Sequence, residues 1–178
     1  MTRLVDQQTA ISFLEYDRDH KVSSNTEIYK KTVILFGNKI AWKACKQIMP
    51  QYNNKIKVEP LIISMCGYGT QTTRERLNAI LEYYISTCDF QWCHSNLIDR
   101  MYIKQENKKQ FLVVKYQDKE DLSEIKNLDS EINISEFLLE FIDHRFKKGT
   151  AMLKEKPIKI EIEKPIHESQ WVRVRDYA

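Results

Sequence analysis

The side chains with the most chemical potential here are three sets of cysteine, histidine and carboxylate and three sets of cations. Cys66, Cys88, Cys93 and His94 are possible zinc ligands. Their spacing argues against a site, because structural zinc ligands normally come in tight pairs and Cys88 falls on the apolar stripe of a helix. Cys93-His94 offers a thiol beside a base, but adjacent side chains rarely reach each other productively and no third group orients them. Asp17, Asp19 and His20 sit close together in a polar stretch, where a solvated acidic loop is the simpler account than a metal site of no recognised geometry. Asp143-His144 are helix neighbours and point in different directions. The expectation is therefore a non-enzyme with no metal and no cofactor.

The cations suggest binding instead. Arg74 and Arg76 stand in the first turn of a helix, where positive charge opposes the macrodipole. Either they pair with a carboxylate or with strand-end carbonyls, or they form an anion site beside the free helix N–H groups. The first is preferred, since no glycine-rich cradle with a lysine accompanies them. Lys108 and Lys109 occupy a hairpin tip, solvated or in reach of phosphates. At the end of the chain Trp171, Arg173, Arg175 and Tyr177 share one face of an alternating strand. Tryptophan and arginine together suit a protein hot spot or a stacking and phosphate surface. An ordinary edge strand protected by its charges is an equal alternative. These eight residues are the candidate partner-binding or nucleic-acid-binding set.

The elements that must position them are legible to different degrees. The stretch from Cys66 to Leu81 reads as a strand ending in a glycine turn, followed by a helix with Thr72 as N-cap and Glu75 as its reciprocal partner. Leu77, Ile80, Leu81, Tyr84 and Cys88 form the helix stripe, with Ile85 at its edge and Glu75, Ala79, Glu82 and Ser86 on the solvated side. Thr9–Tyr16 reads as an edge strand. Thr32–Phe36 and Lys39–Trp42 flank Gly37-Asn38 as a hairpin, because glycine and asparagine tolerate positive φ. Lys55–Glu59 alternates, and Leu61-Ile62-Ile63 follows Pro60. A second hairpin joins Asp99–Lys104 to Gln110–Tyr116 through Gln105–Lys109. Asp118–Glu131 is acidic and polar, a connector and the one plausible internal boundary. Ser135 caps a second helix, Glu136–Phe146, and Ile158–Glu163 and Trp171–Tyr177 alternate as strands. The fold class expected is α+β: a mainly antiparallel sheet of two hairpins plus C-terminal strands, packed by two helices. Residues 1–117 would form the sheet-plus-helix module, and 118–178 the helix and C-terminal strand pair on the same domain.

At 178 residues, 42% apolar and 30% charged, the chain can build a real core and does not read as globally disordered. A formal charge of +3 identifies no nucleic-acid binder by itself and argues only against a dominant acidic surface. There is no apolar run of membrane-spanning length and no signal-peptide core after Met1. Four cysteines scattered through mixed sequence read as free thiols in a reducing cytoplasm.

Asn38-Lys39-Ile40-Ala41 and the run Gly67-Tyr68-Gly69-Thr70-Gln71-Thr72-Thr73-Arg74-Glu75-Arg76-Leu77-Asn78 carry a likeness. Over Val33–Leu81 the chain resembles a family of small, uncharacterised proteins of bacteriophages and plasmids. That resemblance implies a mobile-element origin in a bacterial host and brings no established activity. With no convincing active site, the expectation is an inhibitor of a host defence system, an anti-CRISPR-type protein that contacts a CRISPR nuclease. The positive charge argues against acidic DNA mimicry as its mode. The alternative is a DNA- or RNA-binding accessory protein that contacts phosphates through Arg74, Arg76, Lys108, Lys109, Arg173 and Arg175.

Overall fold

The computed structural model describes residues 3–16, 18–44, 47–49, 56–58, 60–86 and 98–146. The expected C-terminal strands, with Trp171, Arg173, Arg175 and Tyr177, lie outside the described residues, as do Asp17, Cys45, Cys88, Cys93 and His94.

The chain begins with α1 (Leu4–Ile11), continued by a π-helical turn (Ser12–Tyr16). Then come β1 (His20–Lys21), β2 (Thr26–Tyr29), β3 (Thr32–Leu35), β4 (Asn38–Lys43), β5 (Gln47–Met49), β6 (Ile56–Val58) and β7 (Leu61–Ile63). After α2 (Gln71–Ser86) follow β8 (Arg100–Glu106), β9 (Lys109–Tyr116), β10 (Lys119–Glu124), β11 (Ile132–Asn133) and α3 (Ile134–Phe146). The strands form a six-stranded sheet in the order β1-β2-β3-β4-β7-β11, a three-stranded sheet β10-β9-β8 and a two-stranded β5-β6 pair. The class is α+β, with antiparallel sheets and three α-helices among the described residues.

Tight turns set the registers. Lys30-Lys31, Phe36-Gly37, Asn107-Lys108 and Gln117-Asp118 each join two strands with both residues at positive φ, between 47° and 80°. Turns of this kind match the right-handed twist of a hairpin, so the ladders continue directly from them. The first hairpin turns one residue earlier than expected: Phe36 and Gly37 make the turn, and Asn38 pairs with Leu35. The acidic stretch after Tyr116 is not a connector, because β10 pairs along β9 from Lys119↔Tyr116 to Glu124↔Phe111. A boundary at 117/118 would cut that ladder. The chain divides instead into one compact unit of residues 1–42 and 63–131 and a second of 43–62 and 132–178.

In the first unit, inward-facing Ile28, Val33, Leu35, Ile40 and Ala41 are buried, as are Met101, Ile103, Leu112 and Val114 on the second sheet. Helix α2 contributes Leu77, Ile80, Leu81 and Tyr84, each at most 1% exposed. Each such side chain contributes about 1.5–3 kcal/mol of burial free energy. Thr9–Tyr16 is helical rather than a strand. Asp6, Thr9, Ala10, Phe13 and Leu14 are the buried residues of the helical stretch Leu4–Tyr16, a spacing that faces one side of a helix. Because α1 packs along α2, Ala79, expected on the solvated side, is buried at 6% exposure.

In the second unit β5 and β6 pair antiparallel, from Gln47↔Val58 to Met49↔Ile56. Helix α3 is capped by Asn133, whose Oδ1 accepts the Glu136 N–H at 3.0 Å. Ser135, expected as the cap, is buried inside the first turn, where its Oγ accepts the Leu61 N–H at 3.2 Å. Among the described side chains of that helix, Ile134, Leu138 and Phe141 are buried apolar residues.

Candidate binding cleft

The glycine-threonine stretch before α2 is held by internal bonds at nearly every position. Cys66 and Gly67 both have positive φ (52° and 80°), and the Tyr68 N–H donates to Met65 O at 2.8 Å to close the turn. At Gly67 the positive φ is what favours glycine, and an added Cβ would also lie 2.8 Å from Asp129 Oδ1, the tip of an exposed side chain that can move aside. The Gly67 N–H donates to Leu128 O at 2.9 Å. The helix N-cap is Thr70 rather than Thr72: Thr70 Oγ1 accepts the Thr73 N–H at 3.2 Å and shares a hydrogen bond with Thr73 Oγ1 at 2.9 Å. Glu75 is not its reciprocal partner. It accepts from Gln71 Nε2 at 2.9 Å and pairs with Arg3. Thr70→Ala is expected to cost about 1 kcal/mol in urea unfolding, the usual worth of a threonine cap, while Thr72→Ala should leave the midpoint nearly unchanged.

The two arginines of the first turn are structural. Arg74 Nη1 donates to Gly69 O at 2.7 Å and to Gln105 Oε1 at 2.7 Å, which ties the turn to β8. Arg76 is buried at 3% exposure and forms an ion pair with the equally buried Asp6 of α1. Its Nε donates to Thr26 Oγ1 at 3.1 Å and its Nη2 to Asn25 Oδ1 at 3.4 Å. A guanidinium enclosed this way reaches no phosphate, so Arg76 leaves the candidate binding set. Lys108 and Lys109 are exposed at the β8–β9 turn, with Lys109 Nζ 3.8 Å from Glu124. Of the possible metal ligands, Cys66 Sγ donates to Lys39 O at 2.8 Å and Asp19 Oδ1 accepts the Lys30 N–H at 2.8 Å. Among the described residues there is no group of three or more His, Cys, Asp or Glu side chains placed to share a metal.

Tyr68 stands apart within the glycine-threonine run. It is 57% exposed, and across from it Phe36, at the tip of the β3–β4 turn, is 68% exposed. Leu35, Ile40 and Met65 line the cleft of about 420 Å³ that these two aromatics border, and the α2 start adds Thr70, Thr72 and Thr73. The Phe36 N–H donates to Asn25 O at 2.8 Å, so the ring is presented from a fixed backbone. An apolar floor, two projecting aromatics and a few hydroxyls make a site that takes an apolar or aromatic group and orients it by hydrogen bonds. None of Arg74, Arg76, Lys108 and Lys109 lines it. The position of Phe36 is hard to read from the chain, because it continues a run of strand residues. The resolved turn moves it from strand end to tip.

One phenol elsewhere is perturbed. Burial, then the charge of Glu120 and a 3.3 Å hydrogen bond to it, hold Tyr102 above its ordinary value of 10.0 against the opposing Lys104 and Arg100. It lies on the outer face of the three-stranded sheet, away from the cleft lining.

No helix among the described residues is long and apolar enough to cross a membrane. Comparison of the chain with protein-family models, with curated proteins and with solved structures finds no match.

Proposed function

We propose that the chain is a binding protein of a mobile element that inhibits a host defence nuclease, such as a CRISPR-Cas effector, by protein–protein contact in the bacterial cytoplasm. The observation that supports a protein-binding role is the pair Phe36 and Tyr68. Two large aromatics are more than half exposed on rigid turns beside an apolar cleft. Exposed aromatics next to a pocket are the residues that dominate protein interfaces once a partner desolvates them. The class of partner rests on the resemblance of the Gly67–Asn78 run to phage and plasmid proteins. The alternative, phosphate contact through Arg74, Arg76, Lys108, Lys109, Arg173 and Arg175, is the weaker reading because Arg76 is enclosed by Asp6, Thr26 and Asn25.

The test is phage plaquing on cells that carry a targeting CRISPR-Cas system and express the full chain. Protection of the phage is expected to raise plaquing by orders of magnitude, and the Phe36→Ser/Tyr68→Ser double substitution should abolish it. The thermal midpoint of that variant should stay within a few degrees of the parent, since exposed side chains contribute little to folding. Absence of protection across effector types, or full protection by the double variant, overturns the reading.

A further inference from the structure

The outer face of the six-stranded sheet carries a second surface, independent of the cleft. Cross-strand partners share a face, so the registers Tyr29↔Thr32 and Thr32↔Trp42 place Tyr29 and Trp42 on one side. They stand two strand spacings apart, roughly 10 Å. The next row on that face runs Lys21↔Glu27, Glu27↔Ile34 and Ile34↔Lys39. The opposite face, with Thr26, Ile28, Val33 and Leu35, is the buried one. Tyr29 is 50% exposed, Trp42 is half-buried, and Lys21, Lys30 and Lys39 are exposed. Lys30 Nζ lies 5.3 Å from the Tyr29 ring centroid. None of these three lysines forms an ion pair with a described residue, whereas Lys104, Lys109 and Lys115 on the other sheet all do.

We propose that this face, built on Tyr29, Trp42, Lys21, Lys30 and Lys39, binds single-stranded nucleic acid. Aromatics standing on a sheet take unpaired bases by stacking, and lysines around them hold the backbone. The Lys30 charge lies against the Tyr29 ring, so a base stacked there brings its phosphate beside a cation. The unpaired lysines decide between this occupant and a protein, because protein interfaces are depleted in lysine. A duplex keeps its bases inside and offers nothing for the rings to stack on. Glu27 is the one carboxylate in the two rows, and it sits between Lys21 and Ile34.

The experiment is fluorescence anisotropy of a labelled 20-nucleotide oligothymidine, and of a duplex of equal length, titrated with the full chain at low and moderate salt. The single strand is expected to bind the more tightly. Tyr29→Ala should weaken it at least about fivefold, the lower end for loss of one base–aromatic stack, with an unchanged thermal midpoint. Lys39→Ala should flatten the plot of log affinity against log salt by about 0.7, the value for one phosphate contact on a single strand. Three kinds of result would each overturn the proposal. One is no binding at low salt. Another is equal affinity for duplex and single strand, or a Tyr29→Ala chain indistinguishable from the parent, either of which means charge attraction alone. The third is a self-associating chain whose dimer, rather than any oligonucleotide complex, is lost in Tyr29→Ala.

Discussion

Asp6→Ala is expected to lower the folding free energy by about 3–5 kcal/mol, the cost of leaving a buried charge without its partner. The side chains of Asp6 and Arg76 are 2% and 4% exposed, so water does not replace the lost carboxylate. Arg76 would keep Thr26 and Asn25, but both accept through neutral oxygens, and Asn25 Oδ1 already receives the hydroxyls of Ser23 and Thr26 at 2.8 and 2.7 Å. The loss exceeds what an exposed pair could show, which is at most about 1 kcal/mol. The reverse substitution, Arg76→Ala, leaves Asp6 with Arg3 Nε at 3.5 Å as its one cation among the described residues and adds a cavity between α1 and α2. The double variant Asp6→Leu/Arg76→Met separates the value of the pair from the cost of breaking it. It removes both charges while filling their volume, and replacements of this type are often neutral or better. Urea unfolding of all three variants checks this. A single-substitution loss below about 1 kcal/mol would mean that the pair is solvated, in disagreement with its burial.

The same pair explains why part of the fold was hard to read in the chain. Counted from Asp6, the buried positions 6, 9, 10, 13 and 14 have a helical period. A carboxylate at the head of that stripe reads as solvent-facing, and without it Thr9–Tyr16 looks like a short β-prone run. Arg76 hides the second flank of α2 in the same way. A helix with Leu77, Ile80, Leu81 and Tyr84 shows one stripe, whereas burial of Thr73, Arg76 and Ala79 requires α1 on its other side. By contrast β3, β4, β8 and β9 carry their signal in local composition, and the second hairpin was legible to within a few residues. β10 was not, because Lys119-Glu120-Asp121 has the composition of a linker and is a strand through its pairing with β9. The cleft was legible only as its parts. Gly67 announces a turn, and a cap is announced two residues late at Thr72, but nothing local says that Phe36 will stand opposite Tyr68. The proposed stacking face was missed for the same reason, since Tyr29 and Trp42 are joined only by register.

Asn78→Ala is expected to cost about 2–6 kcal/mol, because it leaves two buried backbone groups without partners at roughly 1–3 kcal/mol each. β8 is an edge strand of the three-stranded sheet. Glu106 and Lys109 flank the two-residue turn and exchange hydrogen bonds, so, counting back by twos along β8, Lys104 and Tyr102 also bond to β9 and Ile103 turns its N–H and C=O to the free edge. There Asn78 takes the place of a missing strand: its Oδ1 accepts the Ile103 N–H at 2.6 Å and its Nδ2 donates to Ile103 O at 3.0 Å. Ile103 is 2% exposed, so water is a poor substitute. A carboxylate can still accept the N–H but has no proton for the carbonyl at neutral pH, so Asn78→Asp should fall between the parent and alanine. Losing the clamp also uncovers a paired-edge template, which is an aggregation hazard. The alanine chain should therefore show faster amide exchange at Ile103 and more light scattering on heating. If its unfolding midpoint and Ile103 exchange match the parent, the edge is protected by something other than this side chain.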